Sequence, residues 1–319
     1  MTARIFIDGE AGTTGLQIRE RLINRKDISL ISLSDAERKN TDARRHALNT
    51  CDLTILCLPD DAARESVSLI DNDHTRVIDA STAHRTASDW TYGFPEMTAG
   101  QADAVRGAMR VSNPGCYPTG AIALIRPLVE AGLIPKDFPL TVNAISGYSG
   151  GGKALIQRFE GPDNDTEPAF YAYGLALMHK HLPELHRHTL MQYAPLFVPA
   201  VGRYYKGMLV QVPLQLWALP AAPGVEMIQQ ALADHYTGGA FVSVAPLTGD
   251  ASTVQLNPEA KNATNQLEIR IFARPEIGQC LLTAVFDNLG KGASGAAVQS
   301  MNLMLGLAPH AGLEDRLAA

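Results

Sequence analysis

One of the four cysteines of this chain, Cys116, stands where covalent chemistry is easiest to build. The stretch Ser112-Asn113-Pro114-Gly115-Cys116-Tyr117-Pro118-Thr119-Gly120 closes a short apolar run, Met109 to Val111. It opens an amphipathic one through Ala121, Ile122, Leu124, Ile125, Leu128 and Val129. A tight Pro-Gly turn thus delivers Cys116 to the mouth of a helix, with Pro118 where a first helical turn tolerates proline. Helix N-termini favour negative charge, and the thiolate is the reactive form of cysteine. A thiolate held on a turn is a nucleophile. The competing reading is a buried structural cysteine, the commoner fate of that residue. The Pro-Gly-Cys-Tyr-Pro context favours chemistry.

A candidate acid–base lies in His179-Lys180-His181-Leu182-Pro183-Glu184-Leu185-His186-Arg187-His188. Imidazole and carboxylate also ligate zinc and iron, so a metal site competes. There is no H-E-x-x-H spacing, however, and Pro183 disfavours helical geometry in the residue before it, spoiling a shared ligand face. No metal is expected. His179 or His181, just ahead of a helix starting at Pro183, suits proton transfer near neutral pH. Glu184, in the first turn, either orients an imidazole or complements the helix dipole. His186 and His188 read as exposed helix histidines.

The loop Gly9-Glu10-Ala11-Gly12-Thr13-Thr14-Gly15 follows a predicted strand, Arg4 to Asp8. It precedes helical recurrence at Leu16, Arg19, Leu22 and Ile23. Bare backbone at Gly9, Gly12 and Gly15, with Thr13 and Thr14 between them, would admit a pyrophosphate to the helix N-terminus. The G-x-x-G-x-x-G spacing departs from G-x-G-x-x-G, and a turn built for tight packing is the alternative. Coenzyme choice turns on the end of the second strand, Ser32 to Lys39. Ser34, Arg38 and Lys39 suit a 2′-phosphate, whereas Asp35 suits a free ribose hydroxyl. The balance favours NADP.

Two further motifs are milder. Gly147-Tyr148-Ser149-Gly150-Gly151-Gly152-Lys153-Ala154 nearly matches a P-loop. Ala154 replaces the closing Ser/Thr that would bind magnesium, and the motif lies outside the parallel-sheet region. It reads instead as a glycine loop beside an active site or a subunit contact. Asp79-Ala80-Ser81-Thr82-Ala83-His84-Arg85 follows a strand end, where α/β proteins bind ligands. Arg85 there either grips an anionic substrate or is an ordinary surface arginine.

The elements that must position these residues alternate in the first third of the chain. Strands are predicted at Arg4–Asp8, Ile28–Leu33, Leu53–Leu58 and Arg76–Asp79, with helices near Ala43–Leu48 and Asp60–Ile70. That alternation predicts an α/β, Rossmann-type doubly wound parallel sheet. From about Pro139 longer strand-like runs crowd together: Leu140–Ile145, Leu196–Val201, Gly207–Leu216, Phe241–Val244, Gln266–Ala273 and Cys280–Phe286. Val210, Val212, Leu214 and Leu216 share one face of the third run and Gln211 and Gln215 the other, the period of a half-buried antiparallel strand. A second, α+β domain on a mostly antiparallel sheet follows, with a helix near Val225–His235. A last helix is predicted over Gly295–Gly306.

With 319 residues, 46% of them hydrophobic, the chain can bury a large core and fits two domains. A net charge of −6 without a basic tract argues against nucleic acid as a partner. No apolar stretch approaches the roughly 20 residues of a membrane span, and the start lacks a signal-peptide core. Cys51, Cys57, Cys116 and Cys280 show no C-x-x-C spacing, so a reducing, cytoplasmic setting is expected.

Taken in order, the glycine loop, Asp79-Ala80-Ser81, Asn113-Pro114-Gly115-Cys116-Tyr117-Pro118-Thr119, Ser146-Gly147-Tyr148-Ser149-Gly150, His179-Lys180-His181-Leu182-Pro183-Glu184 and Lys291-Gly292-Ala293-Ser294-Gly295 form a familiar series. The chain resembles the compact variety of the N-acetyl-γ-glutamyl-phosphate reductase family, within the aspartate-semialdehyde dehydrogenase superfamily. The resemblance spans nearly the whole chain. It implies an NADP-binding Rossmann domain over residues 1–117 and 292–319, and a catalytic and dimerisation domain over 118–291. It also implies a homo-oligomer, dimer or tetramer, in the cytoplasm, serving arginine biosynthesis on a small acyl-phosphate substrate. The nucleophile falls on Cys116 and the histidine on the His-Lys-His segment, with His181 preferred to His179 because it heads the H-x-P-E pattern. Arg85, Asn113 and Tyr117 are the substrate-binding candidates. Alternatives are a sister reductase acting on aspartyl or aminoadipyl phosphate, a Cys-His hydrolase, and a non-catalytic nucleotide sensor.

Overall fold

The computed structural model describes residues 2–162, 164–220 and 222–313. The chain divides into two compact units, one over residues 2–95, 100–115 and 293–313 and one over 96–99 and 116–292.

The first unit begins with β1 (Ala3–Asp8), α1 (Thr13–Leu22), β2 (Ile28–Ile31), α2 (Thr41–Thr50), β3 (Leu53–Leu56), α3 (Asp60–Ser68) and β4 (Arg76–Asp79). It continues through β5 (Thr91–Tyr92), α4 (Gln101–Gly107) and β6 (Arg110–Ser112). Its six strands lie in the order β2-β1-β3-β4-β6-β5, every neighbouring pair parallel. All four residues of β3 are buried, which is why Leu53 to Leu56 carries no alternation: a strand covered on both faces has no polar side. Helix α2 starts where Asn40 Oδ1 accepts the N–H groups of Asp42 and Ala43, a side-chain cap that local sequence dictates. Strand order reverses between β1 and β3, and the glycine loop leaves β1 at that reversal, the place where open α/β sheets bind ligands.

The second unit holds α5 (Cys116–Glu130), β7 (Thr141–Gly147), α6 (Gly152–Glu160), β8 (Phe170–Ala172), α7 (Leu182–His188) and β9 (Leu196–Gly202). There follow β10 (Met208–Gln215), α8 (Val225–Tyr236), β11 (Val242–Val244), β12 (Leu267–Arg274) and β13 (Gln279–Phe286). Seven strands run β11-β12-β13-β10-β7-β9-β8, antiparallel except at β11/β12 and β7/β9. In β10 Val210, Val212 and Leu214 are buried while Pro213 and Gln215 are exposed, so the alternation marks a core-facing side. Helix α6 and the short β5 and β8 have no clear counterpart in the sequence pattern. Two or three residues are too few for a period to register, and three consecutive glycines mask the start of α6.

Helix α5 packs on this sheet. A Cβ at Gly120 would stand 2.7 Å from both Val210 Cγ2 and Phe286 Cε1, so glycine lets the helix settle onto β10 and β13. Pro127 lies inside the same helix and has no N–H for the Ala123 carbonyl. The buried Tyr236 hydroxyl of α8 donates to that carbonyl instead, at 2.9 Å. The phenol replaces the missing amide.

After β13 a π-helical turn over Gly290–Ser294 leads into α9 (Gly295–Met304), which belongs to the first unit. Every residue of α9 is buried, and its small side chains (Gly295, Ala296, Ala297, Ser300) suit a helix covered all round. No helix among the described residues is long and apolar enough to cross a membrane.

Candidate active site and coenzyme site

Cys116 is the first residue of α5, as the Pro-Gly turn and the apolar run behind it predict. It is half-buried and stands at the end of the helix that favours negative charge. The other cysteines are unsuited to attack: burial pushes Cys51 and Cys280 up to about 12, and desolvation raises Cys57 further. Gly292 comes so close that a Cβ on it would lie 3.0 Å from Cys116 Cβ and 3.3 Å from its Cα. The Lys-Gly-Ala-Ser-Gly motif thereby acquires a reason: a bare backbone must pass the cysteine. Lys291, beside it, is fully buried and paired with Glu96 at 2.8 Å.

The histidine segment joins the same unit. His181 directly precedes α7, whose first turn holds Pro183, and is 5% exposed. The rings of His179 and His181 lie 4.8 Å apart, and Tyr117, next to Cys116, sits 5.9 Å from the His181 ring and 6.0 Å from that of His179. His179 Nδ1 accepts the backbone N–H of His181 at 3.2 Å, and its Nε2 lies 3.3 Å from the Tyr173 hydroxyl. Tyr173 donates to the Tyr117 hydroxyl at 3.3 Å, and Tyr117 donates to the Ala200 carbonyl at 3.0 Å. Burial, then the Lys180 charge, lower His179 to about 4, with Glu184 opposing. Burial raises both phenols, Tyr173 to about 12 and Tyr117 well above its usual value. Tyr173 gives no signal in the sequence because a turn at Gly174–Leu177, not a regular element, brings it to His179. His186 is exposed as expected, but His188 is buried. The expectation for His188 is corrected: in a helix this short, position 188 falls on the inner side together with Glu184 and Leu185.

In the first unit the glycines at residues 9 and 15 have steric reasons. Gly9 has φ +87°, and a Cβ on it would lie 2.4 Å from the Cys57 carbonyl oxygen. A Cβ on Gly15 would lie 2.5 Å from the Gly9 oxygen. Gly12 directly precedes α1, which Thr13, Thr14 and Gly15 open. A cavity of about 160 Å³ borders the loop, lined among others by Gly9, Glu10, Leu33, Arg38 and Arg44. Loop, helix end and arginines fit the phosphates of a dinucleotide.

Among the expected ribose-side residues, Arg38 lines the cavity and pairs with Glu10 at 2.7 Å and Asp35 at 2.9 Å. Ser34 is turned to a local task, its hydroxyl 2.6 Å from Glu37 Oε2. Lys39 is exposed and does not line the cavity. Asp8 and Arg44, paired at 3.0 Å, were missed. The signal was an acidic residue ending the strand ahead of the glycines, a charge needing a cation beside any phosphate.

Arg85 is buried and donates to the Ala80 carbonyl at 3.1 Å, so it is no ordinary surface arginine. The turn carrying it is tied by Asp79, whose carboxylate meets the Ser81 hydroxyl and His84 Nδ1, each at 2.7 Å. Asn113 is buried; its Nδ2 donates to the Ala293 carbonyl at 2.9 Å, while its Oδ1 has no hydrogen-bond partner among the described residues. The Gly147 loop borders a cavity of about 290 Å³ with Tyr117, Tyr173 and Arg158 on its walls. It forms no P-loop: it follows a strand of the mixed sheet. No group of three or more His, Cys, Asp or Glu suited to a metal ion occurs among the described residues.

Residues 4–105 match the semialdehyde dehydrogenase NAD-binding domain and residues 116–288 the semialdehyde dehydrogenase dimerisation domain. The fold is that of the aspartate semialdehyde dehydrogenase II of Vibrio cholerae, with TM-score 0.72 at 15% identity over 96% of this chain and 99% of that one. The Candida albicans aspartate semialdehyde dehydrogenase solved with NADP gives 0.66 at 15% identity, over 96% and 99%. Fold and site thus define an oxidoreductase of the semialdehyde dehydrogenase type. An N-acetyl-gamma-glutamyl-phosphate reductase of Chelativorans sp. (strain BNC1) is 56% identical over 96% of this chain and 99% of its own length. N-acetyl-gamma-glutamyl-phosphate reductase 2 of Pseudomonas putida is 53% identical over 96% and 97%. The chain belongs to the N-acetyl-γ-glutamyl-phosphate reductase family.

Proposed function

We propose that this enzyme reduces N-acetyl-γ-glutamyl phosphate to N-acetylglutamate semialdehyde with NADPH, through a thioester on Cys116, in arginine biosynthesis. The observation that carries the reading is the half-buried thiol at the head of α5, in one compact unit with His181, while desolvation disables the other cysteines. Full-length relatives more than half identical supply the substrate.

His181 takes the thiol proton, and the Cys116 thiolate attacks the acyl-phosphate carbon. The C–O bond to phosphate breaks, phosphate departs, and a thioester remains. NADPH, when bound, would supply the hydride needed to take the thioester to the aldehyde level. Cys116 then leaves as thiolate from the resulting oxyanion, which His181 steadies until the aldehyde forms. Sulfur suits both steps, as a strong nucleophile first and a good leaving group afterwards. Gly9, Gly12, Thr13, Thr14 and Gly15 would hold the pyrophosphate at the start of α1, and Arg38 would support a 2′-phosphate. Arg85 is the candidate partner for an anionic group of the substrate, and Asn113 and Tyr117 are the other substrate-binding candidates. The dimerisation-domain match supports a homo-oligomer, and the free thiols support a cytoplasmic setting.

The test is NADPH oxidation with N-acetyl-γ-glutamyl phosphate, alongside aspartyl and aminoadipyl phosphates. Activity is expected on the first, with an acyl adduct on residue 116 detectable by mass after quenching. Cys116→Ser should lose about three orders of magnitude or more in kcat, the scale of removing a covalent nucleophile. Wild-type turnover in that variant, or preference for another acyl phosphate, would overturn the reading.

A further inference from the structure

We infer that His179 is a neutral positioning residue whose single ring proton sits on Nε2, and that it is the head of a one-way hydrogen-bond chain through Tyr173 and Tyr117 to the Ala200 carbonyl. This rests on the assignment of His181 as the acid–base.

The direction of the chain follows from its ends. A backbone carbonyl can only accept, so the Tyr117 hydroxyl spends its one proton on Ala200 O, 3.0 Å away. Tyr117 oxygen can then only accept from Tyr173, 3.3 Å away, which spends that proton too. Tyr173 oxygen must therefore accept from its remaining neighbour, His179 Nε2, at 3.3 Å. At the opposite end a backbone N–H can only donate, and that of His181 points at His179 Nδ1 from 3.2 Å. Both ends demand one tautomer: Nδ1 bare, Nε2 protonated.

A proton on Nδ1 would set it against the His181 N–H, donor facing donor. The charged groups around the ring agree. Lys180 and burial oppose an imidazolium, Glu184 alone favours it, and the neighbouring phenols stay neutral. His179 is thus not the proton carrier; with both ring nitrogens committed, it fixes the backbone at His181 and the phenol adjoining Cys116. The backbone that carries the catalytic imidazole is held by its neighbour but one.

Full-length protein carrying ¹⁵N,¹³Cε1-histidine tests this without any assay of turnover. The His179 signals, identified by their loss in His179→Asn, should show the Nε2–H tautomer from pH 5.5 to 8. In Tyr173→Phe the same tautomer should persist, because the His181 N–H still requires a bare Nδ1. A His179 ring that titrates between pH 6 and 7, or carries its proton on Nδ1, would overturn the inference even if the reductase activity stands. In kinetics, His179→Asn, which keeps an acceptor near the His181 N–H, should lower kcat about 5- to 20-fold and retain the acid limb of the kcat/KM profile. His179→Leu should fall further, and His181→Asn should abolish the limb. Loss of the limb in His179→Asn with its retention in His181→Asn would reverse the two roles.

Discussion

Gly292 faces Cys116 so closely that a Cβ built on it would stand 3.0 Å from the cysteine Cβ, tighter than nearly all real side-chain contacts, so that one of the two must give by a few tenths of an ångström. The backbone N–H of Gly292 is tied to the Asp287 carbonyl at 3.0 Å, and Lys291 is pinned by Glu96. Neither partner can retreat freely, so Gly292→Ala should displace the thiol. Misplacement on the ångström scale costs up to about 100-fold in rate. We expect kcat down about 10- to 100-fold with KM for the acyl phosphate within threefold. Steady-state kinetics and the rate of iodoacetamide labelling at residue 116 will check this; unchanged values would mean the turn yields.

Arg38 lines the cavity and donates to the Leu33 carbonyl just beyond β2, held by Glu10 and Asp35. A hydrogen bond to a charged group contributes about 1.5–3 kcal/mol. Arg38→Ala should therefore raise KM for NADPH about tenfold or more while altering turnover with NADH by less than threefold. Parallel titrations with the two coenzymes separate the outcomes. An equal effect on both would place Arg38 away from the 2′-phosphate.

Tyr236→Phe removes the hydroxyl that donates to the Ala123 carbonyl opposite Pro127. An orphaned buried acceptor costs about 1–3 kcal/mol, to be measured as a lower urea midpoint. Pro127→Ala in the same background restores an amide at that place. The double variant should therefore recover part of the loss, a coupling that independent sites would lack.

His179 also gives stability a pH dependence. Its folded value lies near 4, against 6.5 for an unperturbed imidazole. Above pH 6.5 the ring is neutral folded or unfolded and contributes no slope. As pH falls from about 6.5 to 4 the unfolded chain takes up a proton that the native ring refuses, and stability drops. Denaturant midpoints at pH 7 and pH 4.5 should differ less in His179→Asn than in the parent. An equal difference in both would remove His179 as a source of acid lability.

Much of the first unit can be read from the chain because its strands are short, apolar and separated by helices of clear period. The glycine loop was legible because it stands between a strand and a helix, and at Gly15 a Cβ would strike the loop's own Gly9 and Glu10. Cys116 at a helix start was legible because Pro114, Gly115 and Pro118 constrain the backbone around it. Contacts between distant segments were not. Tyr173 meets His179 and Tyr117, and Gly292 meets Cys116, through packing that no periodicity encodes. His188 shows the same limit, since a helix too short to display a stripe leaves its inward side to tertiary packing. Ser34 shows another, its hydroxyl diverted to Glu37 by the turn it belongs to.

Helix α5 carries the reactive sulfur at its tip and is seated at Gly120 against Val210 and Phe286. The thiol is in effect the end of a strut whose footing is the apolar floor of the second unit. Enlarging Val210 would lift that strut, so a change that looks like ordinary repacking should be felt first as slower turnover. Anyone re-engineering this enzyme for another acyl chain should leave that footing alone and work from the walls of the pocket inward.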